Sequence, residues 1–64
     1  MARELELQRR QFLILSEPHR DGWKAMVVEV KSGQHEPVGI EATGETRGAA
    51  DEAAERMLRR LVQT

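Results

Sequence analysis

Residues 42–64, ATGETRGAADEAAERMLRRLVQT, decide how the chain folds, because no other stretch has a periodicity long enough to read as one element. From Ala49 the apolar residues come in pairs at a spacing of four: Ala49 and Ala50, Ala53 and Ala54, Met57 and Leu58, Leu61 and Val62. Such a spacing keeps one face of an α-helix apolar over about four turns. Between them Asp51 and Glu52, Glu55 and Arg56, and Arg59 and Arg60 supply a wet face. Thr46 is the expected N-cap, its hydroxyl accepting from a free backbone N–H one turn on, and Gly44 suits the bend into the helix. Acidic residues crowd the first half and arginines the second, which complements the helix dipole. The Glu52–Arg56 and Glu55–Arg59 pairs contribute only about 0.2–0.5 kcal/mol each, so packing must hold the helix down. Its leading alanines allow a close approach to whatever lies beneath, with Met57, Leu58 and Leu61 expected to fill a wider gap at the far end.

Outward from the helix, the preceding residues read as strands. Val38, Ile40 and Ala42 alternate with Gly39, Glu41 and Thr43, a half-buried strand that Pro37 opens. Ser32-Gly33-Gln34-His35-Glu36 is a turn, and before it Trp23 to Val30, WKAMVVEV, is rich in residues that suit a pleated surface. On that strand Met26, Val28 and Val30 share one face, expected inward; Trp23, Ala25 and Val27 share the other, expected to stay available to a partner. Glu17-Pro18-His19-Arg20-Asp21-Gly22 is strong turn chemistry. Upstream, Leu5 and Leu7 alternate with glutamates and Phe12 to Leu15 run on as apolar residues, the two stretches meeting at Arg9 and Arg10; they read as one strand, or a short strand preceded by an arm. The expected fold is α+β, order β-β-β-α: a three-stranded antiparallel meander with one C-terminal helix across one face.

Sixty-four residues make one domain, 1–64. A chain of this size buries only about 60% of the surface its unfolded form exposes. Phe12 and Trp23 are its only aromatics and cysteine is absent, so a homodimer or a larger partner is expected to complete the core. The charged start, MARELELQRR, lacks a signal-peptide apolar run, and no stretch approaches the roughly 20 apolar residues of a membrane span. The expected compartment is the cytoplasm. Ten basic against eleven acidic side chains give a net charge of −1, which argues against a dedicated nucleic-acid binder.

The chain offers little for catalysis. His19 and His35 sit in separate turns without cysteines or a paired-histidine spacing to build a metal site or a general base. Gly39, Gly44 and Gly48 make no phosphate loop, for no Gly-Lys-Ser/Thr follows. No enzyme activity, cofactor or metal is expected. A helix on one side of the sheet leaves an apolar patch on the other, and such patches mark interaction surfaces. The residues expected to contact a partner are Trp23, Ala25 and Val27 on the sheet, with Arg56 and Arg59 on the helix, whose usual meaning is a solvated face paired to glutamates and whose other reading is contact with an acidic partner or a phosphate backbone.

Ser16-Glu17-Pro18-His19-Arg20-Asp21-Gly22-Trp23-Lys24-Ala25-Met26-Val27 resembles the first hairpin of HicB-like antitoxins, with its acidic Pro- and Gly-containing turn and aromatic-x-Ala strand. Ala42-Thr43-Gly44-Glu45-Thr46, leading into Ala49, Ala50 and Ala54, is similar to the same family's Gly-acid-Thr entry to an alanine-rich helix. The resemblance spans residues 10 to 62. It departs at Val28-Glu29-Val30-Lys31-Ser32-Gly33, where the family has a Pro-acid-Leu-Pro-Gly segment, and residues 1–64 are expected to act without the family's C-terminal DNA-binding segment. The resemblance implies a partial RNase H-like module without nuclease residues, a homodimer that masks a small partner such as a toxin. The double-stranded RNA-binding domain is a second comparison: Ala49, Ala53, Ala54, Met57, Leu58 and Leu61 match the apolar spacing of its last helix. That family's lysines at the helix start are replaced here by Thr46, Arg47 and Gly48, followed by Asp51 and Glu52, which removes most of the phosphate contacts its affinity rests on. An RNA binder using the helix arginines is therefore the second reading.

Overall fold

A computed structural model describes residues 2–63. Four strands, β1 (Ala2–Leu7), β2 (Arg10–His19), β3 (Gly22–Lys31) and β4 (Gln34–Gly44), precede one helix, α1 (Arg47–Gln63). The strands form one antiparallel sheet in the order β1-β2-β3-β4. The α+β class holds, but the expected three strands are four. Residues 2–19 are a hairpin rather than one strand with an arm, with Leu7 opposite Arg10 and Ala2 opposite Leu15.

The extra strand is hard to read from the sequence because its turn carries the wrong residues. A two-residue hairpin turn of the type I′ sense needs positive φ at both central positions, which normally selects Asn-Gly or a similar pair. Here Gln8 and Arg9 take φ of 51° and 66°. The β3–β4 turn has the same geometry at Ser32 and Gly33, φ 50° and 78°, and there the glycine advertises it. Two prolines stand where the ladder spares them: Pro37 on the edge strand β4, and Pro18 on the part of β2 that runs beyond β1. A bulge in β4, with Gly39 at φ 79°, shifts its register against β3 between Met26 and Val28, so Val38 and Ile40 both reach the helix side.

The helix begins as expected. The Thr46 hydroxyl accepts from the Ala49 N–H at 3.1 Å, and the Thr46 carbonyl accepts from the Ala50 N–H at 3.1 Å. Only the second member of each apolar pair is buried: Ala50, Ala54, Leu58 and Val62. Met57 and Leu61, expected to fill a gap, are instead 43% and 51% exposed on the flank of the helix. The buried seam meets Phe12, Ile14, Ala25, Val27, Ile40 and Ala42. Ala25 and Ala42 are opposite one another in the β3–β4 ladder, so small residues of the sheet face the small residues of the helix and the layers come close. Gly44 extends that approach, since a Cβ there would stand 2.7 Å from the Ala50 nitrogen.

Candidate functional site

The helix side of the sheet uses the odd-numbered residues of β3, and this reverses the expectation for that strand. Ala25 and Val27 are fully buried beneath α1. Trp23 is half-buried against the same core, with the Arg47 guanidinium 6.0 Å from its ring centroid. None of the three is open to a partner on the far face. Arg56 lies exposed on α1, and Arg59 is held by Glu55 of the preceding turn, Nε to Oε2 at 3.0 Å. The five residues singled out from the sequence therefore do not converge: Ala25 and Val27 lie under the helix, Trp23 is half-buried against the same core, and Arg56 and Arg59 lie on the outer surface of the helix.

The residues left uncovered are the even-numbered set of β3 and its neighbours. Leu13 is opposite Val28, Leu15 opposite Met26 and Gln11 opposite Val30, and β4 continues the rows with Pro37 beside Val28 and His35 beside Val30. Strand alternation puts all of these on the face away from α1. Its centre is apolar: Leu13, Leu15, Met26 and Val30 are half-buried by mutual contact and Val28, at 7% exposure, is buried among them. The rim is acidic. Glu4 and Glu6 of β1 stand opposite Leu13 and Gln11, Glu17 lies toward the far end of β2, and Glu41 lies opposite Met26. Lys24 is the lysine of this face, 3.7 Å from the Glu41 carboxylate. The total surface, 4670 Å² for a 7.3 kDa chain, exceeds the about 4,200 Å² of a typical monomer of this mass.

Both faces of β2 and β3 are apolar in the sequence, and the face of β3 expected beneath the helix is the wrong one. A usable signal is present: a helix seam that starts with Ala50 and Ala54 calls for a floor of small residues, and Ala25 and Ala42 supply it. Met26, Val28 and Val30 do not.

Glu29 is the buried charge among the described residues, 6% exposed. Arg10 grips it with both ends of the guanidinium, Nε to Oε2 at 2.9 Å and Nη2 to Oε1 at 2.8 Å, and stacks 5.2 Å from the Phe12 ring centroid. The hydrogen bonds from Arg10 hold the Glu29 carboxyl below its usual range, more than offsetting its desolvation; the charges of Arg10 and Lys31 add to this. A carboxylate so tied is a structural clasp between the β1–β2 turn and β3, and a poor proton acceptor. His19 and His35 are exposed toward opposite ends of the sheet, opposite Gly22 and Val30 respectively. That places them roughly 25 Å apart at strand spacing. No group of three or more metal-ligating side chains comes together among the described residues, and no helix there is long and apolar enough to cross a membrane.

What the fold defines is a small α+β unit, helix on one side and an open, acid-rimmed apolar sheet face on the other. No family model, curated protein or solved structure matches the chain.

Proposed function

We propose that the protein is a small non-catalytic protein-binding module, antitoxin-like or inhibitor-like in kind and cytoplasmic, whose docking surface is the open sheet face. The observation that carries this reading is the contiguous apolar centre of Leu13, Leu15, Met26, Val28 and Val30, which α1 leaves uncovered. An uncovered apolar patch with a polar rim is the usual form of a protein-docking surface. Its acidic rim repels a phosphate backbone. The antitoxin-like part of the reading rests on the HicB-like hairpin and helix-entry motifs, and the lack of cysteine fits a reducing compartment.

The RNA reading has less behind it. Of the helix arginines, Arg59 is already paired to Glu55, and Glu52 stands one turn before Arg56 on the outer surface. The deciding experiment is affinity capture of the tagged chain from its native lysate at moderate and high salt, with nuclease controls, beside a Met26→Lys variant. A salt-resistant protein captured by the wild type and lost with Met26→Lys supports the proposal. Recovery of nuclease-sensitive RNA by both forms overturns it.

A further inference from the structure

The open sheet face is complementary to itself, and we infer that a second copy of this chain covers it, sheet against sheet, about a two-fold axis parallel to the strands. This rests on the face being a protein-docking surface, as proposed above, and names its occupant. Two stacked sheets keep their strands within about 30° of one another at about 10 Å separation. A two-fold axis along the strands lays β2 of one copy over β3 of the other and β1 over β4, and preserves position along the strand.

The register of the ladders then dictates what meets. Leu13 falls on Val28 of the second copy and Leu15 on its Met26, because those pairs share rows of the sheet. Glu17 falls on Lys24 of the second copy, which is likewise its row partner. Glu6 and His35 occupy the two ends of one row, through Gln11 and Val30, so each falls on the other across the axis. The axis thus joins apolar to apolar at the centre and acid to base at Glu17 and Lys24, while Glu4 falls on Pro37 and Gln11 on Val30 of the second copy. The other in-plane two-fold, perpendicular to the strands, lays β2 on β2 and β3 on β3, and so loses the contact of Glu17 with Lys24 of the second copy.

Size and the alternatives agree. Four strands at about 4.8 Å spacing give a face about 20 Å across, comparable with the low end of stable interfaces, about 600 Å² per partner. The edges of the sheet are worse candidates for self-association: β4 carries Pro37 and a bulge, both of which blunt an edge. Helices would lie outermost in the dimer, leaving Arg56 and Arg60 in solvent.

The test is the mass in solution of the purified full chain by native mass spectrometry and light scattering, at micromolar concentration. The wild type is expected at twice the 7.3 kDa of the chain, and Met26→Lys at the single mass with an unchanged circular dichroism spectrum. Glu17→Lys and Lys24→Glu supply a test that leaves the apolar centre intact. Each variant alone puts like charges across the axis and dimerises less. When the two are mixed, the introduced lysine of one meets the introduced glutamate of the other, while the unchanged Lys24 of the first meets the unchanged Glu17 of the second. The heterodimer therefore forms in preference to either homodimer. A monomeric wild type whose lysate partner is still lost with Met26→Lys overturns the second-copy inference and keeps the docking reading. A dimer indifferent to Met26→Lys and to the charge mixing overturns both.

Discussion

Glu29 and Arg10 show what one ion pair can and cannot do in so small a fold. Glu29 stands on the helix side of β3 with Phe12 as its ladder partner, where an unpaired carboxylate would be costly. Arg10 removes that cost by donating twice, and the pair thereby ties the turn at Gln8-Arg9 to the middle of the sheet. Because the carboxyl of the folded chain is held below its unfolded value, its contribution to stability is fully present above the usual carboxylate range and is lost as pH falls through the lowered one. Urea denaturation across the acid range is expected to show the advantage of the wild type over Glu29→Gln constant near neutrality and shrinking as the pH drops below that range. An advantage that grows in acid would contradict the assigned direction.

Two smaller residues can be judged the same way. Thr46→Ala removes the hydroxyl that caps α1, at a cost of about 1 kcal/mol readable from the urea midpoint. Gly44→Val forces a side chain into the Ala49 and Ala50 backbone, with an expected loss of about 1–3 kcal/mol and a detached first turn visible in amide exchange.

At the scale of elements, the turn at Gln8-Arg9 and the seam of α1 are the informative cases. Left-handed conformation costs a non-glycine residue roughly 1–2 kcal/mol, so the β1–β2 turn is held by its strands and by the Arg10 clasp rather than by its own preference. Replacing Gln8-Arg9 by Asn-Gly is expected to raise stability by about 1 kcal/mol or more without altering the fold, checked by thermal and urea melts. The seam behaves oppositely. Leu58 is completely buried within it, and Leu58→Ala is expected to cost about 2–5 kcal/mol, whereas Met57→Ala and Leu61→Ala on the exposed flank should change stability little.

These cases also explain what the sequence discloses at this scale. The helix, its cap and strands β2 to β4 are legible because each is marked by local chemistry, a spacing of four, a Thr-x-x-Ala start, Asp-Gly and Ser-Gly turns, although both turns are shorter than expected: Glu17-Pro18-His19 belong to β2 and Gln34-His35-Glu36 to β4. Strand β1 is hidden inside the first apolar stretch, since Gln8-Arg9 carries no turn residue and only the pairing of Leu5 with Phe12 makes it a hairpin.

At the scale of the whole molecule, one helix cannot cover a four-stranded sheet apolar on both sides, and the uncovered side carries the proposed function. If a second copy covers it, the melting temperature should rise with protein concentration, because association stabilises the folded form by mass action. Met26→Lys should abolish that dependence. A wild-type melting temperature independent of concentration would speak against the dimer.

The amino-acid pattern by itself determined that β3 is apolar on both faces and that α1 is apolar along one seam, for these follow from periods of two and of four within single elements. Which face of β3 meets the seam was decided by the tertiary structure, the small residues Ala25 and Ala42 being its one trace in the sequence. That choice turns on volume, the fit of Ala25 and Ala42 beneath Ala50 and Ala54, and volume matching between residues far apart in the chain exists only once the layers are packed.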